Sequence, residues 1–495
     1  MQRLRDLIEN PRVYRPLVGV GVVIVTGLVG WAAWAWNDSR LPGRYSAMEF
    51  GAVDLGGGTP VDHHHGAVSL ASLRGPQGPP DRRFVLTALE KRVRLGSGRT
   101  IEAWTFDGRV PGPELRVRQG DLVEITIVNR DIGPGLSVHW HGVDVANAED
   151  GVAGVTQNAV EPGGRQTYRF RAGQAGTYWY HAHQESSKEV EKGLFGPLVV
   201  LPPDAAPRGL DLPVVAHRFG GVETLNAADA LERHRVAPGT PVRLRLVNSE
   251  SSPKWLSLDG TPFRVAAIDG TDLNRPTPIT NRALKIAAGG RYDVTFAMPA
   301  EPVSLRLLGA SAALVLSKDG GGEPPTSDFG RDFDPAAYGV ARVEPITATS
   351  HFDRTFVVEI GRHLGFQDGA FGYHWTINGH TYPSMPSFGV RLGDLVKITY
   401  VNHTNSDHPM HLHGHHVLVL SRNGKPVTGS PWWVDTLNVG PDERYEVAFR
   451  ASNSGIWMLH CHDLAHAAAG LVTHVAYNGV TTPYQLGRDS GNRPE

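Results

Sequence analysis

One ten-residue phrase, written three times, limits what this chain can fold into more than any other feature. Gly120-Asp121-Leu122-Val123-Glu124-Ile125-Thr126-Ile127-Val128-Asn129 returns as Gly393-Asp394-Leu395-Val396-Lys397-Ile398-Thr399-Tyr400-Val401-Asn402. A degenerate copy runs from Gly239 through Val242-Arg243-Leu244-Arg245-Leu246-Val247 to Asn248. Each copy alternates apolar and polar residues, the period of a half-buried strand. A second phrase follows each copy and again leads into an alternating strand: Glu161-Pro162-Gly163-Gly164-Arg165, then Ala287 to Tyr292, then Gly440 to Tyr445. Recurrence in this order is the mark of a repeated module. Helical periodicity is scarce while Gly (58) and Pro (36) are plentiful, so the module is a β-sandwich. A chain of 495 residues is too long for one core. The expectation is three tandem sandwiches, at 84–205, 206–320 and 350–495, with the Gly- and Pro-rich segment 321–349 connecting the last two.

Ahead of the sandwiches, Pro16 to Trp36 carries no charge over 21 residues, enough for a bilayer core of ~20. Arg3, Arg5, Arg12 and Arg15 precede it, which places residues 1–15 in the cytoplasm and the sandwiches outside. The rival reading is a secretory signal cleaved near Ala35, since Ala33-Trp34-Ala35 resembles a cleavage site. Residues 37–83 are rich in Gly, Pro and Asp and read as a linker or stalk. The triplet His63-His64-His65 lies in it, either an accessory metal site or a solvated polar loop.

Hydrophobic residues at 40% and charged residues at 20% describe a globular protein rather than a disordered one. The net charge of −2 and the lack of a basic run argue against nucleic acid as a partner. The single cysteine excludes an internal disulfide and makes Cys461 conspicuous.

The placement of the histidines carries the chemistry. Ten residues after Asn129 stands His139-Trp140-His141, and nine after Asn402 stands His411-Leu412-His413. At the equivalent place the middle copy has Ser257-Leu258-Asp259. Downstream, the first module gives His181-Ala182-His183 and the third gives His460-Cys461-His462, followed by His466. Residues i and i+2 of a strand share a face, so each pair aims two imidazoles at one point and Cys461 points to the opposite side. One thiolate with His408 and His466 makes a trigonal blue-copper set, and eight imidazoles suit a cluster of several copper ions. Zinc fits less well, because structural zinc sites usually close with several cysteines.

At these residues the chain resembles the three-domain multicopper oxidases. His-Trp-His-Gly, His-Ala-His, His-Pro-Met-His-Leu-His-Gly and His-Cys-His-x3-His all occur between residues 139 and 471. The resemblance implies an all-β chain of three cupredoxin-like Greek-key sandwiches and four coppers per chain. Its type 1 copper would lie on His408, Cys461 and His466, and its type 2 copper on His139 and His411. One type 3 copper would take His141, His181 and His462, the other His183, His413 and His460. It further implies a laccase-like oxidase, in which a small phenolic or metal-ion donor reduces the type 1 copper and dioxygen is reduced to two waters at the other three.

Two positions depart from the family pattern. Leu471 stands where a methionine would be the weak axial ligand, so copper(II) is less stabilised and the type 1 potential rises. Ala467 stands where many bacterial relatives carry an acid. Oxygen reduction consumes protons, so Asp150 and Asp463 become the candidate donors, while Asp435 matches a position that orients a ligand histidine. Copper nitrite reductases share the module but usually have two domains and lack the His-Cys-His pair. A copper-sequestering envelope protein is the non-enzymatic alternative. The six methionines are dispersed, which disfavours a specialised copper(I) oxidase.

Overall fold

A computed structural model describes residues 11–49, 51–60, 68–205, 209–326 and 331–495; His63-His64-His65 fall outside these described residues. The strands assemble into three tandem β-sandwiches. In the first, the sheet containing Leu122–Asn129 faces the sheet containing Val138–His141 and Gly176–Ala182. In the third, the sheet of Leu395–Asn402 faces that of His408–Leu412 and Ile456–Cys461. The middle one pairs two six-stranded sheets, around Pro241–Asn248 and Lys254–Asp259.

The triplicate phrase occupies the same topological place each time. Leu122–Asn129 runs parallel to Arg82–Arg94 and antiparallel to Arg165–Arg171. Pro241–Asn248 lies likewise between Leu210–Phe219 and Arg291–Ala297. Leu395–Asn402 lies between Arg354–Gln367 and Arg444–Arg450. The closing asparagine recurs for a packing reason. Buried Asn129, Asn248 and Asn402 each donate Nδ2–H to two separated stretches of backbone: Ile132 and Val160, Ser252 and Ile286, Ser406 and Val439. Each side chain thereby ties the loop leading to the metal strand to the turn carrying the second phrase. A buried amide placed this way satisfies carbonyls that would otherwise cost free energy.

The segment expected as a stalk is docked instead. Val53–Asp54 adds a parallel strand beside Ser387–Val390, and Val68–Ser69 pairs with Val480–Thr481. Arg354, buried, donates to the carbonyls of Leu55 and Thr59. Composition signalled loop, and the segment is irregular, but an open sheet edge in the third sandwich recruits it.

Preceding this segment is one helix, Pro11–Asp38, whose Val18–Asp38 portion is apolar and exposed along most of its length. At ~1.5 Å per residue those 21 residues are long enough to cross the hydrocarbon core of a bilayer. Its last turn meets the third sandwich: Asp368 N–H donates to Ser39 O (2.9 Å), and Gly369 N–H to Ser39 Oγ (3.1 Å).

Candidate metal centre

Strand register brings the histidine pairs together. His139 sits directly opposite His181 in the first sandwich, and His411 opposite His460 in the third. The two outer sandwiches then face each other, so all eight imidazoles are buried in one cluster. His139 Nε2 lies 3.4 Å from His411 Nε2. His413 Nε2 lies 3.2 Å from His460 Nε2, and one nitrogen each of His183, His413 and His460 falls within 4.8 Å of the others. The rings of His141, His181 and His462 meet with centroids 4.8 to 5.8 Å apart. Every pair anticipated from the sequence is present in this one place.

Hydrogen bonds fix which nitrogen each ring turns inward. His139 Nδ1 lies 3.0 Å from Asp150 O, and His413 Nδ1 lies 3.0 Å from Asp150 Oδ2. His411 Nδ1 lies 2.8 Å from Asp435 O. His141 is turned the other way, its Nε2 3.1 Å from Asp435 Oδ1, which leaves Nδ1 for the cluster. His141 Nδ1, His181 Nε2 and both nitrogens of His183 and His462 are buried with no hydrogen-bond partner among the described residues. Burial, and then the neighbouring imidazoles, hold the pKa of His141, His181, His411, His413 and His460 well below the ordinary histidine value. These rings are therefore neutral, with lone pairs converging. Buried polar atoms without partners are costly, and soft-to-borderline cations satisfy them. The donor set fits copper.

On the far side of Cys461 lies the second centre. His408 Nδ1 and His466 Nδ1 each stand 3.7 Å from Cys461 Sγ. Thr404 Oγ1 bonds His408 Nε2 (2.8 Å), fixing that ring. Burial lowers His408 to about 3 and His466 to about 4, and it pushes the Cys461 thiol up, so the thiolate needs a bound cation. Leu471 is buried, and its carbonyl accepts the Cys461 N–H at 3.1 Å. Trp375 covers both histidines, with ring centroids 4.8 Å from His408 and 4.3 Å from His466.

The carboxylates anticipated from the sequence have different surroundings. Asp150 Oδ1 stands 3.1 Å from His139 Nδ1, so this side chain reaches two cluster histidines. Asp435 supports His141 and His411. Asp463 caps the short helix Leu464–Ala468, accepting from Ala465 and His466 N–H, and burial raises it to about 6. Its second oxygen lies 3.4 Å from His466 Nε2, on the side of the Cys461 centre.

Three residues outside those anticipated complete the site. Arg291, from the middle sandwich and fully buried, grips Asp435 through Nη1–Oδ1 (2.6 Å) and Nη2–Oδ2 (2.5 Å). Gly289 has φ +79°, and a Cβ there would approach the rings of His462 and His141 to within 3.0 Å. The middle sandwich, where Asp259 is spent on Arg306 (3.1 Å), thus closes over the cluster it does not ligate. The third is Glu495, its side chain 8% exposed, with Oε1 3.1 Å from His460 Nδ1 and Oε2 accepting from Ser186 Oγ (2.5 Å); burial of the carboxyl pushes it up to about 8. Arg291 occupies the same place in the second phrase as Arg165 and Arg444, which are exposed, so a signal existed but not its depth.

Comparison with known proteins agrees with this geometry. Two family models described as multicopper oxidase match residues 88–205 and 361–479. The chain is similar to the multicopper oxidase MmcO of Mycobacterium tuberculosis, 30% identical over 83% of this chain and 90% of that protein. Laccase-1 of Botryotinia fuckeliana is 26% identical over 74% of this chain and 77% of its own. Among solved structures, a multi-copper oxidase from Pseudomonas thermotolerans superimposes with TM-score 0.66 at 26% identity, covering 81% of this chain and all of that one.

Proposed function

The chain belongs to the multicopper oxidases, copper-dependent enzymes that use dioxygen as acceptor, and from that premise we propose a laccase-like reaction. A phenol-like or metal-ion donor gives up one electron at a time at the Cys461 centre, and four such electrons reduce dioxygen to two waters at the histidine cluster. The outer sandwiches, 84–205 and 350–495, hold the metal, while 206–320 closes the cluster. The observation that carries this reading is the position of Cys461. It is covalently between His460 and His462, with its side chain on the opposite face, so the backbone itself joins the two centres.

In this reading His408, Cys461 and His466 hold a type 1 copper, and His139 and His411 a type 2. His141, His181 and His462 hold one type 3 copper, and His183, His413 and His460 the other. Bound copper supplies the one-electron redox chemistry. The protein's part is positional. Asp150 and Asp435 fix ring orientations, which raises ligand basicity and limits wrong tautomers. Burial of all eight rings keeps bulk water out of the cluster. Asp150, against His139 and His413, and Glu495, against His460, are the carboxylates placed to hand protons inward.

We also place the enzyme at a membrane through Val18–Asp38, with the sandwiches outside the cytoplasm. The groove that Trp31 and Trp34, both lost on cleavage near Ala35, line together with Phe366 and Phe371 supports a retained helix. Metal analysis with visible and spin-resonance spectra tests the function. The expected result is about four copper ions per chain and a thiolate charge-transfer band that disappears in Cys461→Ser. A single copper per chain, or a band that survives the substitution, refutes it.

A further inference from the structure

The long hairpin formed by Arg354–Gln367 and Ala370–Ile377 carries one face well past the core it serves. Its register puts Ile360 opposite Ile377, Arg362 opposite Trp375, Leu364 opposite Tyr373 and Phe366 opposite Phe371. Residues directly opposite in an antiparallel pair share a face, so these eight side chains form one continuous strip. At its inner end Ile360 and Ile377 are fully buried. Next, Trp375 lies on His408 and His466, with the Arg362 guanidinium 4.1 Å from its ring centroid. Beyond that the strip leaves the sandwich yet stays apolar: Leu364 is 49% exposed, Phe371 61% and Tyr373 72%. Large apolar side chains exposed in a row mark a surface that meets something other than water.

What the strip meets is indicated by its outer end. Phe366 and Phe371 face the last turns of the apolar helix across a groove of about 550 Å³ that Trp31 and Trp34 also line. Trp31, Trp34 and Trp36 cluster at the sandwich end of the apolar segment, the position of an interfacial aromatic belt. The groove is therefore level with the bilayer surface. From there to Trp375 is four residues, ~13 Å at the rise of a strand. The histidine at the far end, His466, keeps 18% side-chain exposure beside the Arg362 donors. Apolar where it meets lipid and polar where it meets His466, the strip matches a molecule built the same way.

We propose that the hairpin rests in the membrane interface and admits a lipid-borne hydroquinone to the type 1 site, its tail along Phe366, Phe371 and Leu364 and its ring hydroxyl at Arg362 and His466. This inference rests on the oxidase reading above and names its donor. The reaction balances: two hydroquinones lose two electrons and two protons each, and one dioxygen takes up all four of both to become two waters, leaving two quinones.

The test uses the full chain, copper-loaded, in phosphatidylcholine vesicles. Cys461 is buried, so Phe371→Cys offers a single reactive thiol for an environment-sensitive fluorophore. Its emission is expected to shift to the blue and to be quenched by a quencher carried on lipid. Emission unchanged from that of the label in water, quenched by aqueous iodide, overturns the proposal whatever the oxidase activity. In the same vesicles kcat/KM for a decyl-substituted hydroquinone should exceed that for the unsubstituted ring by about tenfold or more, and Leu364→Ser with Tyr373→Ser should lower that ratio. Equal rates for the two donors, or a ratio untouched by the substitutions, also overturn it. Oxidation of neither donor, with the label in lipid, refutes the oxidase reading instead.

Discussion

Replacing Arg291 by methionine should weaken the fold and the cluster together. The guanidinium is fully buried, bidentate on Asp435, with Asp269 Oδ1 3.5 Å away, and its Nε donates to Thr177 O at 3.1 Å. Methionine keeps the volume and removes the charge. Asp269 and Asp435, both buried, then keep only His416, 3.5 Å from Asp435 Oδ2 and raised against its burial to about 9, chiefly by Asp144, as a neighbouring cation. Removing one partner of a buried ion pair costs about 3–5 kcal/mol. The lower end is the better expectation, because burial and Asp435 already push Asp269 toward protonation, and taking up a proton relieves part of the repulsion. The second effect reaches the metal. Asp435 positions His141 and His411, and loss of such support lowers metal affinity about 10–100-fold. Denaturant unfolding of the copper-free protein measures the first effect, and copper retention with the type 2 spin-resonance signal measures the second. Asp435→Asn completes a double-mutant cycle, in which a coupling of at least about 0.5 kcal/mol is expected. If Arg291→Met unfolds within about 1 kcal/mol of the parent and keeps its type 2 copper through dialysis, the clamp is not what holds Asp435.

Leu471→Met should lower the type 1 potential, because a thioether near the copper stabilises copper(II) where leucine cannot; an unchanged or higher value in redox titration refutes this. Asp150→Asn should reduce both turnover and copper content, since its carboxylate holds His413 and stands 3.1 Å from His139, and no other carboxylate among those described reaches both. Full turnover at parental copper content would remove Asp150 from the proton path. His474, buried and lowered by burial to about 4, gives an acid limb to stability. Its folded pKa lies below the unfolded value of ~6.5, so its contribution is intact above that pH and is lost as pH falls toward 4. At pH 4.5 the loss is about 2–3 kcal/mol, and His474→Gln should flatten the unfolding profile between pH 6.5 and 4.5 by that amount. A variant as acid-sensitive as the parent refutes the assignment.

Strand period and histidine spacing made the three modules and the metal-bearing faces readable before any coordinates, because both depend on neighbours two residues apart. What escaped the sequence depends on longer reach. Arg165, Arg291 and Arg444 stand at one place in the repeat, yet of these only Arg291 is buried, where it reaches Thr177 of the first sandwich and Asp435 of the third. Asp463, adjacent to a ligand, suggested a proton donor; its local role as a helix cap is set by the backbone turning there. The segment 37–83 has the composition of a free linker, and composition is blind to the open sheet edge that captures it. On the hairpin, Phe371 and Tyr373 alternate as core residues do, although the core ends before them.

The asparagine ties at the ends of the three repeated strands bear on how the enzyme matures. The same tie forms around Asn248, in a sandwich whose metal strand carries Ser257 and Asp259, as around Asn129 and Asn402. The middle copy is thus a natural control within the chain: the module builds its loops and turns with no ion to organise them. The asparagine ties of the outer sandwiches therefore need no copper, and the loops and turns they fasten can form before metal is loaded.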